Sequence, residues 1–424
     1  MGTPISLAQP EPPKWYRWMV LMFISLAMFG NYYLYDSIAP VADLLKQQLN
    51  FTDEQYGLLS SVYSWSAIPF LLFGGPIIDR RGTRVATLLF GAICAISGFM
   101  MIASTDYRVM VVGRFLLASA EPLIAAITAA IAKWFKGKEL GFALGVNLVI
   151  ARLGQTAADW SPTWARAAYG DWRTPLVVAA FLGTTCVIGA AIYWVLEKKA
   201  ERKYSLGEAG STDKLVLSDL IRFNRAFWYI TAVCVAFYSV IFPFRSFSIK
   251  FFIEAHQAER SFAGQLNSVM PVAAMFATVL FGLLSDRIGR RASLMLLGTL
   301  ILVPVFPILG YTQVTLYLPI AMVGIAFSLV PALMWPSVAY LVEQNRLGSA
   351  YALMFLLQQI GVGALDWLVG RANDYAGASA VNPAGYLPMM WIFTVLGMIA
   401  LVFAFLLWRT ETGPQARGLE TIRA

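Results

Sequence analysis

Charge is scarce in this 424-residue chain, where 13% of residues are Asp, Glu, Lys or Arg and 58% are hydrophobic, against roughly one quarter charged in a soluble domain. A water-soluble globular class is thereby excluded. Histidine occurs once, at His256, and the three cysteines, Cys94, Cys186 and Cys234, all fall inside apolar runs. The chain therefore lacks a disulfide framework, a zinc spacing and an HExxH helix. It also lacks a GxxxxGK[ST] phosphate cradle, so an enzyme built on metal or nucleotide chemistry has no parts and no cofactor is expected. The net charge of +8 does not point to nucleic acid, because the basic residues are scattered through short loops between apolar runs. Alternation of period two over about ten residues is missing as well, which excludes a membrane β-barrel.

What is present is a series of apolar runs of about 20 residues, the length a helix needs to cross the hydrocarbon core. Twelve such spans can be marked between Trp18 and Trp408, with the fifth running from Leu140 to Ala165. The chain reads as an all-α membrane protein, an N-terminal tail 1–17, a six-helix bundle 18–196, a linker 197–226, a second six-helix bundle 227–408 and a tail 409–424. With the N-terminus inside, the inner loops hold 22 Lys and Arg, the outer loops 7 and the spans 3. The positive-inside rule then assigns both termini to the cytoplasm. Within the linker, LVLSDLIRF from Leu215 has the pattern of a short amphipathic helix lying on the membrane surface.

The halves repeat. GPIIDRRGTR from Gly75 and GLLSDRIGRR from Gly282 are 207 residues apart, and the same shift lays ELGFALGVNLVIARLG from Glu139 over RLGSAYALMFLLQQIG from Arg346. A duplicated six-helix unit places a solute site between the two repeats. The two loop motifs put Asp79, Arg80 and Arg84, and again Asp286, Arg287 and Arg290, in an inner turn after an even-numbered span. Glycine there permits a tight turn, Asp can face a helix N-terminus and Arg can bind carboxylates or lipid phosphates. In these motifs the chain resembles the major facilitator superfamily, which implies twelve helices, transport by alternating access and a gating role for both loops.

Charges inside the spans are costly and mark solute or proton paths. Glu121 in LASAEPLIAA lies thirteen residues from Arg108 and thirteen from Trp134, and Arg152 lies thirteen from Glu139 and fourteen from Arg166. Both therefore arrive near the midplane on adjacent antiparallel helices, where they form an ion pair or hold a ligand jointly. Seven residues further out on the same helices, Arg114 and Asp159 form a second layer, either functional or a tether between helices. Asp36 and Arg245 occupy the outer thirds of spans one and seven and could bridge the halves when the outer side closes. Tyr35, Tyr63, Trp65, Tyr238, Trp335, Gln358 and Gln359 supply aromatic and amide groups for a mid-depth cavity, and the repeat sets Gln359 opposite Arg152.

A narrower resemblance rests on YLYDSIAP, SVYSWS, KWFKGKELGFALGVNLVIARLGQT, FYSVIFPF and MWPSVAYLVEQNRLGSAYA. These stretches look like the branch of the superfamily that holds the animal lysosomal dipeptide transporters. The resemblance implies that Glu121 and Arg152 hold the two charged ends of a dipeptide. Arg245 departs from that branch, and an added cation would favour more acidic ligands. The expected function is a carrier of dipeptides or similar small zwitterions, with proton coupling through Glu121 or Asp36 left open. The alternative is a proton symporter of small organic anions such as sugar acids, with Arg152 and Arg245 as anion sites. The short loops look bacterial, so an inner-membrane monomer is expected, with lipid, a small solute and protons as its partners.

Overall fold

The computed structural model describes residues 10–135, 137–207, 223–312, 314–414 and 416–421. Among them there is no β-strand, and eleven helical runs are long and apolar enough to cross a membrane. One run, Asp53–Ala103, has 51 residues and is broken at Gly82 (φ 79°, ψ 164°), a conformation open to glycine and closed to most L side chains. Residues 53–81 therefore form α2 and 83–103 form α3, and the crossing helices number twelve. The first is α1, Lys14–Asp36. After α3 come α4, Tyr107–Phe135, α5, Leu140–Asp159, and α6, Arg173–Ala200. The second series is α7, Arg225–His256, α8, Arg260–Ile288, α9, Arg291–Tyr311, α10, Tyr317–Leu341, α11, Leu347–Tyr375, and α12, Leu387–Glu411.

Local chemistry sets several of these limits. Thr52 accepts a hydrogen bond from Gln55 N and returns its own N–H to Gln55 Oε1, a capping box that starts α2. Asn224 Oδ1 accepts from Phe227 N and starts α7. The fifth span stops at Asp159 rather than Ala165. A new turn, Ser161–Trp164, begins there with Pro162 in its first turn, where proline fits and a continuing helix does not. The amphipathic segment from Leu215 lies outside the described residues except for its last residue, Phe223, which is not helical.

Buried apolar side chains fall into two clusters. One is drawn from residues between Val20 and Ala200. The other is drawn from the second half together with Ile38, Val41, Leu45, Phe51, Tyr56 and Leu59 of the first. The segment that joins α1 to α2 and the first turns of α2, at the end of the bundle away from the chain termini (the outer end), are thus packed into the core of the second unit.

Glycines sharpen the asymmetry between the ends. A Cβ on Gly57 would lie 2.2 Å from the Asp366 carbonyl oxygen, one on Gly264 2.1 Å from that of Asp159, and one on Gly370 2.1 Å from that of Asp53. All three contacts join the two units at the outer end, away from the chain termini. On the inner half, Cβ atoms on Gly141, Gly145 and Gly282 would meet nothing within 4 Å. The two units therefore meet backbone to backbone at the outer end, and these three glycines at the opposite end take no part in such contacts.

Candidate functional site

Between the two units lies a cavity of about 230 Å³ lined by Asn31, Tyr32 and Tyr35 of α1, Tyr63 of α2, Glu121 and Ile124 of α4, and Arg152 and Gln155 of α5. The second unit contributes Tyr238, Phe242, Phe327, Phe355, Gln358, Gln359 and Val362. The repeat organises this wall. Asn31 and Tyr238, Tyr35 and Phe242, Arg152 and Gln359, and Gln155 and Val362 are each 207 residues apart. Corresponding positions of the two units thus face one space.

Glu121 and Arg152 both line the cavity, yet no ion pair joins them. The Tyr63 hydroxyl donates to Glu121 Oε1 at 2.8 Å and Gln359 Nε2, from the opposite unit, approaches the same oxygen at 3.4 Å. Arg152 donates from Nη1 to Gln155 Oε1 at 2.6 Å and holds its guanidinium 5.2 Å from the centre of the Phe327 ring. Each charge is therefore held by neutral groups, and part of its desolvation is left for a ligand to offset.

Several expected members of the wall stand elsewhere. Arg245 does not line the cavity. It is buried 3.2 Å from Asp36 and 3.1 Å from Asp159, and it donates to the carbonyl of Asn267 at 3.1 Å. A cation already held by two carboxylates cannot serve as a free anion site. Trp65 and Trp335 are also outside the lining: the Trp65 ring packs against Gly363, and the Trp335 indole N–H donates to the Tyr238 hydroxyl.

Arg114 does not pair with Asp159. It donates to the carbonyls of Leu59 and Tyr35 and lies over the rings of Tyr35 and Tyr63, at 5.4 and 5.7 Å. The two side chains turn to different neighbours. Arg114 points to α1 and α2 of its own unit, while Asp159 points across the interface to Arg245 and Asn267.

The outer half carries a lattice of charges between the units that the sequence reading missed. Arg260 binds both oxygens of Asp43 at 2.5 Å, and Lys250 binds both oxygens of Asp53 at 2.6 and 2.8 Å. Lys250 is 1% exposed and also donates to the Tyr386 hydroxyl. Asp374 accepts from the backbone N–H groups of Asp53 and Glu54. The signal was available in the repeat, since Asp43 and Lys250, and likewise Asp53 and Arg260, are 207 residues apart. Each unit supplies one sign at both positions, so the pseudo-twofold relation generates two complementary bridges.

The loop motifs make contacts within their own units. Arg84 pairs with Glu201 at 2.7 Å over the Trp194 ring, and Asp286 pairs with Arg291 at 2.7 Å. Gly82 and Gly289 take φ values of 79° and 80°, which explains glycine in the motif. Asp79 and Arg80 lie at the end of α2, Arg287 at the end of α8 and Arg290 just before α9. Below α4, Glu139 is bound by Lys14, which holds its carboxyl below the usual range.

A twelve-helix bundle with a polar cavity between two repeats has a counterpart among known families. Residues 24–365 match the model of the Major Facilitator Superfamily. The chain belongs to this superfamily. It is an integral membrane transporter and not an enzyme. The chain is 29% identical over 376 residues to the lysosomal dipeptide transporter MFSD1 of Danio rerio, covering 85% of this chain and 82% of that one. To the human protein of the same name it is 27% identical over 413 residues, with coverages of 94% and 88%. A hexuronate transporter of Escherichia coli K12 is 22% identical over 230 residues, 51% of this chain and 53% of that one. Among solved structures, a bacterial homologue of the human lysosomal transporter Spinster, inward-facing and occupied, superposes with a TM-score of 0.75 at 19% identity, covering 94% and 98%. The nucleoside transporter NupG gives 0.70 at 14% identity, covering 93% and 99%.

Proposed function

We propose that this carrier moves dipeptides or similarly small zwitterions by alternating access, with both termini in the cytoplasm of a bacterial cell and the inner side open in the arrangement described. The observation that carries the reading is one cavity holding Glu121 and Arg152 without an ion pair between them. A peptide with a free amine and a free carboxylate satisfies both charges at once, each through charge-assisted hydrogen bonds. The volume of about 230 Å³ lies below the roughly 300–1,000 Å³ of pockets for drug-sized ligands and favours a small solute. The similarity to dipeptide transporters over most of both chains supports the same choice.

The second reading, a carrier of small organic anions, is favoured by Arg152 and by the similarity to a hexuronate transporter over half the chain. It is weakened by Glu121, which would face the anion, and by the commitment of Arg245 to Asp36 and Asp159. A thermal-shift titration separates the two, because a ligand that binds the folded carrier raises its melting temperature. Alanyl-alanine is expected to stabilise the protein, and N-acetyl-alanyl-alanine to lose that effect. Equal stabilisation by both, or stabilisation by glucuronate alone, would overturn the dipeptide reading.

A further inference from the structure

The repeat pairs two buried aspartates that are partnered very differently. Asp159 on α5 and Asp366 on α11 are 207 residues apart, and each has its backbone carbonyl against a glycine of the other unit, Gly264 and Gly57, themselves 207 apart. Asp159 accepts from Asn267 Nδ2 at 2.7 Å and from Arg245 Nη2 at 3.1 Å. Shifting those partners by the same 207 residues replaces Asn267 with Ser60 and Arg245 with Ile38. The cation and the amide are gone, and Asp366 is 0% exposed with neither carboxylate oxygen hydrogen-bonded, while Ser60 Oγ is also without a partner.

Charged groups around Asp366 do not make up the difference. From α1, α2 and α4 it lies within electrostatic reach of Tyr35, Tyr56 and Arg114, and the Arg114 donors go instead to the Leu59 and Tyr35 carbonyls. From α7 it is flanked by Ser246, close enough to offer it a weak hydrogen bond, but the single hydroxyl proton is directed to the Phe242 carbonyl at 3.2 Å. Arg371 on α11 lies over Trp367, and the Trp367 indole binds Glu54. An isolated carboxylate in such a place is far more costly than the neutral acid.

We propose that Asp366 is a proton-binding site, and that it exchanges protons with the solute cavity along a relay through Tyr35 and Tyr63 to Glu121. Tyr35 is the link, because it lines the cavity and lies within electrostatic reach of Asp366, so that a small rotation of either side chain is the step that joins them. Its ring lies 4.6 Å from that of Tyr63, whose hydroxyl donates to Glu121 at 2.8 Å. In the transfer the Asp366 O–H bond breaks and a Glu121 O–H bond forms. Each tyrosine takes one proton and gives one, so the net change is a carboxylic acid and a carboxylate exchanging roles. The proton enters from outer water when α2 and α11 part. It leaves through Glu121 to the inner-facing cavity, and the ionised Asp366 left in the shut interface favours reopening of the outer side. This inference rests on the solute-carrier reading above and adds coupling to it.

The test uses the full chain in proteoliposomes with alanyl-alanine. Wild type is expected to exchange the dipeptide at equal pH and, with a one-unit acid-outside gradient, to accumulate it up to about tenfold for one proton per solute. Asp366→Asn is expected to keep exchange and lose accumulation. Accumulation by Asp366→Asn equal to that of wild type, or exchange without accumulation by wild type, would overturn the proposal and leave the dipeptide reading standing. Absence of exchange in wild type would overturn that reading, and the proton site is then decided by melting. Alkaline pH should destabilise wild type relative to Asp366→Asn, and parallel melting curves would refute the site. If Asp366→Asn does not fold, Ser60→Asn restores the donor that Asp159 enjoys and should move the pH midpoint of accumulation downward, and an unmoved midpoint refutes it.

Discussion

Lys250→Ala should shift the carrier toward its outward-open form. Lys250 reaches Asp53 from the opposite unit with two contacts of 2.6 and 2.8 Å and is 1% exposed, so the bridge exists only while the outer side is shut. Removing one partner of a buried pair costs about 3–5 kcal/mol, because the other charge is stranded. Here Lys46, 3.0 Å from Asp53 and more exposed, retains part of the compensation, which lowers the figure to about 2–3 kcal/mol. In the outward-open form Asp53 is hydrated, so most of that cost falls on the closed form alone. A shift of this size corresponds to roughly 30- to 150-fold in the closed-to-open equilibrium. The assay is the rate at which a membrane-impermeant thiol reagent, added outside, modifies Ser61→Cys. Ser61 is buried at the α2–α11 contact, where its hydroxyl donates to the Gly363 carbonyl, and the native cysteines are all buried. An unchanged rate in the Lys250→Ala background would refute the assignment of this bridge to outer closure.

Gly264→Ala would set a Cβ 2.1 Å from the Asp159 carbonyl, a contact that neither backbone can relieve without separation. Faster outside labelling of Ser61→Cys is expected, and a wild-type rate would show that the outer helices can close at greater distance. Arg152→Lys keeps the charge but loses the planar fork, so the KM for alanyl-alanine should rise about tenfold while Arg152→Ala abolishes saturable uptake. Uptake by Arg152→Ala at the wild-type KM would remove Arg152 from the site. Asp171→Ala removes a carboxylate that accepts from Arg173 N, Thr174 N and the Thr174 hydroxyl at the start of α6, and should cost about 1 kcal/mol, read as a lower melting temperature. These bonds hold its carboxyl below the usual range, so the contribution is complete at neutral pH and fades as pH falls below about 3.9. A penalty that persists in strong acid would deny the carboxylate this role.

Hydrophobic run length, loop charge and the 207-residue repeat already determined a twelve-helix membrane carrier, because lipid leaves no other way to satisfy backbone polar groups. Counting residues at 1.5 Å each also puts Glu121 and Arg152 at one level, and the structure brings both to one cavity. Facing was not legible. Whether a side chain turns toward its own unit, the other unit or the cavity depends on helix rotation and on kinks such as the break in α4 at Ala118–Ser119, which spacing along one helix does not encode. Only packing could send Arg114 to two backbone carbonyls, bind Arg245 to Asp36 and Asp159, and leave Asp366 without a partner. The sequence decided which charges lie within the spanning helices, and the tertiary structure decided which of them meet, because electrostatic energy in a low-dielectric interior is set by distances between helices rather than along them.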